Sequence, residues 1–425
     1  MTTRQVEPFL NQANIIETAI VKAATPYNKM TEQPSLGSMA SSRLFKPTNL
    51  GPTQLQHRIG MPTMTRMRNL DNHVATPLQI EYYKQRAAAA PGTLMFVESL
   101  AVAPNHTGMA NAGAIWSEEQ VDAWKRVTDA VHAEGSPIFA QLFAFGRAAD
   151  PAVVKQKGFD VIGPSAIPIS HEGTGKDSAE IPGTESSRPT PRAMSVQEIH
   201  QTVQDYAQAA RNARRAGFDG VEIMAGYGYL LDEFLQEVSN QRQDAYGGSV
   251  ENRSRLLDEI MAAVAEAVGP ERVGIRLSPW SNFQGMGMAD PVPQFSDIVL
   301  KAKRLGLGFI HLIEARVSGF DDTQSRETLD FMYDLWKGGT FLIAGGYTPE
   351  LARELVDDKY PDMNMIVMFG RYFTSNPDLV FRVRHGVPLT HYRRDRFYVP
   401  GTLQGTEEGY LTFPLSDEFL ASQSS

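Results

Sequence analysis

Two glycine-bearing segments and two isolated polar side chains give the first chemical signal in this sequence. Gly345-Gly346 follows the apolar run TFLIA (340–344), and Gly370-Arg371 follows MIVMF (365–369). Glycine lets backbone N–H groups approach an anion and arginine adds a forked donor, so both ends suit a phosphate. Arg276 interrupts the apolar run VGIRLS (273–278), where a buried charge requires an anionic or electron-rich partner. Its competing use is a buried salt bridge to Glu222 or Glu314. Gln141, at the end of PIFAQL (137–142), offers one donor and one acceptor, as needed to read the edge of a planar ring.

Other chemistries are excluded by composition. The 425 residues contain no cysteine, which removes disulfides, thiolate metal sites, iron–sulfur clusters and a cysteine nucleophile. The nine histidines form no H-x-x-x-H or H-E-x-x-H motif, so no metal site is expected. There is no G-x-S-x-G nucleophile elbow. Forty basic against 49 acidic residues give a net charge of −9, which argues against nucleic acid or an anionic membrane as partner. No run of 18 apolar residues occurs, and the N-terminus lacks the basic-then-apolar pattern of a secretory signal. A cytoplasmic protein acting on a small molecule, as monomer or homodimer, is the expectation.

The elements that must position the polar groups are regular. Eight apolar runs recur: RIGMP (58–62), TLMFV (93–97), PIFAQL, GVEIM (220–224), VGIRLS, GFIHLI (308–313), TFLIA and MIVMF. Such runs suit a parallel sheet buried on both faces. Helices lie between them, with capping boxes at Ser117–Gln120 and Ser195–Glu198 and cap–proline pairs at Thr348-Pro349 and Asn376-Pro377. Eight strand–helix units predict an α/β fold, a single (β/α)8 TIM barrel. The competing doubly wound sheet normally carries G-x-G-x-x-G after its first strand; only the near misses GMGM at Gly285 and GYGYL at Gly226 occur. Residues 1–42 read as an extension, 43–415 as the barrel and 416–425 as a tail. Long βα connections at 143–194 and 319–327 are placed on the active-site face. In that frame the glycine segments end strands seven and eight, the usual phosphate site of a barrel. A phosphorylated, planar, hydrogen-bonding cofactor fits Gln141, Arg276 and both segments, and flavin mononucleotide (FMN) is such a molecule.

Over residues 43–413 the chain resembles the old yellow enzyme family of FMN-dependent ene-reductases. The blocks that carry this include LFKPTNLGPTQLQHRIGMPTMTRMR, EYYKQRA, WSEEQ, QLFAFGR, VGIRLSP, HLIEARV and FGRYFTSNPDLVFRVRHGVPL. The most specific is GYLLDEFLQEVSNQRQDAYGGSVENRSR (228–255). The resemblance implies FMN as cofactor and NADPH or NADH as reductant. It also implies that Thr63, Met64 and Thr65 run beneath the flavin ring, with Thr65 tuning its potential. Ser99 falls where many members have a glycine near the ring. Gln141 and Arg276 match the groups that read the pyrimidine edge. Gly345, Gly346, Gly370 and Arg371 match the phosphate site, and Phe397 and Tyr398 an aromatic pair near the dimethylbenzene end.

The substrate side departs from the family. Members carry a histidine and, three residues on, an asparagine or histidine that together donate to a substrate carbonyl. A tyrosine two residues later protonates the substrate. Here the segment reads Met224-Ala-Gly-Tyr227-Gly-Tyr229. Tyr229 keeps the place of the proton donor. Met224 donates nothing, and Tyr227 either replaces the second donor through its phenol or packs over the flavin as an apolar wall. Removing a donor aimed at developing charge costs about 10²–10³ in rate. Met224, Tyr227 and Phe143 are the expected substrate contacts, with Tyr229 and Tyr227 the catalytic pair. The expectation is reduction of an activated C=C bond in a bulky specialised metabolite. The alternatives are a redox-neutral isomerisation or cyclisation, a substrate dehydrogenation, or a flavin-binding relic without turnover.

Overall fold

The computed structural model describes residues 39–169, 189–319 and 321–424. Most of the expected N-terminal extension, residues 1–38, lies outside them, as does the middle of the 143–194 connection. Eight parallel strands close a barrel: β1 Ile59–Met61, β2 Leu94–Ala101, β3 Ile138–Phe143, β4 Gly220–Ala225, β5 Val273–Leu277, β6 Phe309–Ile313, β7 Thr340–Ala344 and β8 Asn364–Met368. Each pairs with its sequence neighbours, and β8 pairs back onto β1 through Val367 opposite Ile59. All eight apolar runs are therefore barrel strands. Their side chains are buried on both faces, outward against the helices and inward on one another.

The lower interior is filled by rings. Phe96, Phe139 and Phe309 meet at 5.5–6.1 Å between centroids. An antiparallel hairpin, Thr48–Leu50 with Thr53–Leu55, sends the buried Leu50 and Leu55 into the same cluster. The barrel is thus a packed core below, and a cavity opens toward the strands' C-terminal ends.

Among the surrounding helices are α1 Pro77–Ala89, α2 Glu118–Ala133, α3 Val196–Arg215, α4 Val250–Val268 and α5 Val292–Leu305. The capping boxes at Ser117 and Ser195 form as expected, with each serine accepting from the N3 amide. Thr348 likewise caps the helix Pro349–Arg353. Asn376 does not cap a helix. The helix that follows spans Leu379–His385 and starts after Asp378. The Asn376 amide is spent elsewhere, donating to Tyr372 and Thr390 carbonyls and accepting from Thr390 N at 2.8 Å. The final segment, Asp417–Gln423, is a short helix capped by Ser416. Its Phe419 packs on Phe381, so these residues dock on the barrel. No helix among the described residues is long and apolar enough to cross a membrane.

The described flanks of the long third connection hold a short helix, Pro151–Gln156, and a parallel pairing of Ile162–Gly163 with Arg192–Ala193. The sixth connection carries a small antiparallel pairing, Val317–Ser318 with Asp321–Asp322.

Candidate active site

A cavity of about 690 Å³ opens at the C-terminal ends of the strands. Its lining includes Thr63, Met64, Thr65, Ser99, Phe143, Tyr227, Tyr229, Arg276, Gly345, Gly346, Gly370, Arg371, Phe397 and Tyr398. Residues from seven separate strand ends and the C-terminal segment therefore meet in one place. Two of the expected residues stand back from this space. Gln141 and Met224 are buried behind it, 1% and 4% exposed. Met224 sits in an apolar cluster with Met67, Met109, Phe143 and Phe145, as a side chain without a donor should.

The Gln141 amide is already partnered. Its Oε1 accepts from Ser99 Oγ at 2.6 Å, and its Nε2 donates to Glu222 Oε1 at 2.6 Å. Glu222 is also bonded through Oε2 to His311 Nδ1 at 2.6 Å, both side chains fully buried. Burial pushes the Glu222 carboxyl up, but His311, Arg276 and Gln141 outweigh it and hold it below the usual carboxylate range. Burial, aided by Arg276, holds the His311 ring below its usual value despite Glu222. A neutral imidazole thus donates Nδ1–H to a charged carboxylate. The salt bridge considered for Arg276 does not form: Glu222 is held by His311 and Gln141, and Glu314 accepts from the Tyr347 phenol at 2.6 Å.

Tyr227 adopts φ +58°, a left-handed backbone that a bulky side chain rarely takes. Both ends of the residue are pinned. Its N–H donates to Ser278 Oγ at 2.7 Å, and its carbonyl accepts from Gln284 Nε2 at 2.9 Å. Its ring meets Phe283 edge-on at 6.2 Å, and the Arg276 guanidinium lies 5.7 Å from its centroid. Burial raises the Tyr227 phenol pKa, while Arg276 and Arg371 pull it down. Tyr229, two residues on, is framed edge-on by Phe143 at 4.5 Å and Phe145 at 5.9 Å.

Several determinants of this geometry escape a motif-level reading. Arg66 and Arg68 are buried and flank the Thr63–Thr65 segment. They donate to the carbonyls of Arg396, Phe397, Thr406 and Gly409, clamping the C-terminal segment that carries Phe397 and Tyr398. Arg147 is buried too, and ties the third connection (carbonyls of Ile167 and Pro168) to the fifth (carbonyls of Gln284 and Gly285). A buried arginine paired with carbonyls of distant loops leaves no sequence pattern. Arg316, from the sixth connection, also lines the cavity, and its Nε donates to the Gly345 carbonyl at 2.5 Å.

The cavity fits a phosphorylated planar cofactor. Arg276, Arg316 and Arg371 line it, and among the described residues no acidic side chain does. Thr63 Oγ1 and Arg276 Nε are buried without a protein partner. Gly345, at φ +127°, is required by the protein itself, since a Cβ would lie 2.8 Å from that of Glu314. Gly370 is different: a Cβ there would meet nothing closer than 3.6 Å. Its bareness serves the open space beside Arg371.

A barrel whose mouth holds this donor set is the framework of an FMN oxidoreductase. The chain belongs to the NADH:flavin oxidoreductase / NADH oxidase family, whose model matches residues 43–390. FMN is accordingly its cofactor. The chain is 46% identical to chanoclavine-I aldehyde reductase fgaOx3 of Penicillium roqueforti, over 89% of this chain and 98% of that one. It is 44% identical to a probable inactive reductase, easA, of Epichloe festucae var. lolii, over 90% and 97%. Among solved structures it is similar to Old Yellow Enzyme from a Pichia species, with TM-score 0.78 and 39% identity over 89% of this chain and 95% of that one. It is also similar to morphinone reductase in complex with tetrahydroNAD, with TM-score 0.76 and 35% identity over 88% and 98%. The resemblance to old yellow enzymes and the single-barrel architecture therefore both hold.

Proposed function

We propose that the protein reduces the activated C=C bond of a bulky α,β-unsaturated carbonyl compound at the expense of NADPH or NADH. The observation that carries this reading is the presence of Tyr229 in the same cavity as Thr65, Arg276, Gly370 and Arg371. When bound, FMN supplies the hydride that it has taken from the nicotinamide. The chain's own residues supply the rest. Gly345, Gly346, Gly370 and Arg371 would hold the phosphate. Thr63, Met64, Thr65 and Arg276 would hold the ring. Phe397 and Tyr398, held by the Arg66 and Arg68 clamp, would supply apolar contact to it.

Tyr227 takes over the carbonyl-activating role with its phenol. A strained backbone conformation at a cavity residue is retained only where its surroundings over-determine it, and here Ser278 and Gln284 do so. Arg276 beside the ring favours a phenol that donates its hydrogen to an oxygen gaining negative charge. Tyr229 then delivers a proton to the carbon next to the carbonyl. Phe143, Phe145 and Tyr398 form an aromatic wall suited to a polycyclic substrate. The name of the fgaOx3 relative, chanoclavine-I aldehyde reductase, supports a carbonyl-bearing specialised metabolite as substrate.

One observation favours a second reading. Met224 leaves the carbonyl with one protein donor, so a redox-neutral isomerisation through the same cavity competes with net reduction. Anaerobic assays separate the two. Net reduction requires a stoichiometric nicotinamide, whereas product formed without it, with no lasting loss of flavin colour, supports isomerisation.

A further inference from the structure

One buried negative charge lies behind the cavity, joined to it by two successive hydrogen bonds and held from behind by a third. Ser99, Gln141 and Glu222 are register partners on β2, β3 and β4, and His311 reaches Glu222 from β6. Of these four, only Ser99 lines the cavity.

The direction of this chain is forced by donor chemistry. A carboxylate can only accept, so the Gln141 nitrogen must face Glu222 and its oxygen must face Ser99. The Ser99 hydroxyl then donates inward and presents lone pairs to the cavity. Electrostatics point the same way. Arg276, paired in register with both Met224 and His311, is a cation of the cavity wall. Glu222 is the charge buried beneath it, and at low effective dielectric neither is screened by solvent.

We propose that Glu222 is a positioning residue for the bound flavin: it fixes the Gln141 amide and, as a countercharge to Arg276, makes the flavin harder to reduce. A negative charge beneath a group that gains electrons opposes the gain, and Arg276 alone would favour it. His311 holds the carboxylate in place and in its charged state. The inference rests on FMN occupying the cavity, and its test separates the two claims.

The experiment is spectroelectrochemical titration of the FMN-loaded protein. Glu222→Gln keeps the shape and removes the charge. It is expected to shift the two-electron reduction equilibrium toward reduced flavin by at least ~10-fold, about 30 mV upward. His311→Phe takes away a donor to the carboxylate and is expected to move the potential in the same direction; it serves as the test should Glu222→Gln fail to fold. An unchanged or lowered potential, with FMN still bound, overturns the proposal. A wild-type protein that takes up no FMN overturns instead the cofactor assignment on which it rests.

Discussion

The Arg276 guanidinium lies 5.7 Å from the centroid of the Tyr227 ring, a cation of the cavity wall resting against the side chain at the position of the family's second carbonyl donor. The relationship supports the donor role proposed for Tyr227 over a purely apolar one. Tyr227→Phe keeps the ring, the contact with Phe283 and the φ +58° backbone, and removes only the hydroxyl. The expected result is a loss of about 10²–10³ in the rate at which substrate reoxidises the reduced enzyme. Reduction by nicotinamide should be unchanged. Stopped-flow measurement of the two half-reactions checks this; equal rates for both proteins would assign Tyr227 to the apolar wall.

Tyr229→Phe tests the proposed proton donor. Phe143 and Phe145 frame the ring in either case, so packing is kept. The substrate half-reaction is expected to slow by about 10²–10⁴, the usual contribution of a positioned general acid. The loss should persist across pH, because the variant has no group to titrate. A variant that reduces substrate at the wild-type rate would remove Tyr229 from the mechanism.

The clamp behind the cavity makes a structural prediction. Arg68→Met leaves the Thr406 carbonyl without its donor and the Arg396 and Phe397 carbonyls with Arg66 alone. The cost is expected to be about 2–4 kcal/mol. Thermal unfolding reads the loss of stability. Limited proteolysis should show earlier cleavage within 394–412, and FMN affinity should fall as Phe397 and Tyr398 loosen.

Stability should also depend on pH in a definite direction. Burial raises Glu233 to about 8, and Glu98 to about 7, from a carboxyl's ordinary 4.5. The folded state therefore holds protons that the unfolded chain has released, and stability declines as pH rises through these values. His57 and His106 shift the other way, each lowered by burial to about 4, so they weaken the fold only below about 6.5. In the window from 6.5 to 8 the carboxyls act together with His132, which its hydrogen bond to Asp219 shifts upward, so a single-site variant is needed to isolate one of them. Glu233→Gln preserves an acceptor for the Arg147 amide and should flatten the slope there by roughly 1 kcal/mol per pH unit. Melting temperatures across that window, wild type against variant, give the answer; parallel slopes would contradict it.

Much of this was legible in the sequence because periodicity and backbone chemistry are local. The eight apolar runs became eight barrel strands, since a strand buried on both faces has no polar alternation to blur it. Gly345, Gly346, Gly370 and Arg371 were legible because strand ends seven and eight fix where such residues point. Gln141 was expected to read a ring edge, whereas its amide lies behind the cavity and is partnered by Ser99 and Glu222. Glu222 and His311 lie 89 residues apart in sequence, and only barrel closure brings them together. Asn376 shows the converse failure: a local cap signal lost to long-range carbonyls that offered the same amide better partners. Met224 and Tyr227 announced that the substrate side had changed, yet the left-handed backbone at Tyr227 depends on Ser278 and Gln284, from the fifth connection.

The most direct test follows both hydrogens through one anaerobic turnover. Enzyme reduced with nicotinamide deuterated at the transferable position is mixed with a polycyclic α,β-unsaturated aldehyde, and the experiment is repeated with unlabelled nicotinamide in heavy water. The account predicts flavin reoxidation with nicotinamide-derived deuterium at the β-carbon and solvent deuterium at the α-carbon. Tyr229→Phe should suppress both incorporations together. Product formed without nicotinamide, or carrying no nicotinamide-derived deuterium, would contradict it.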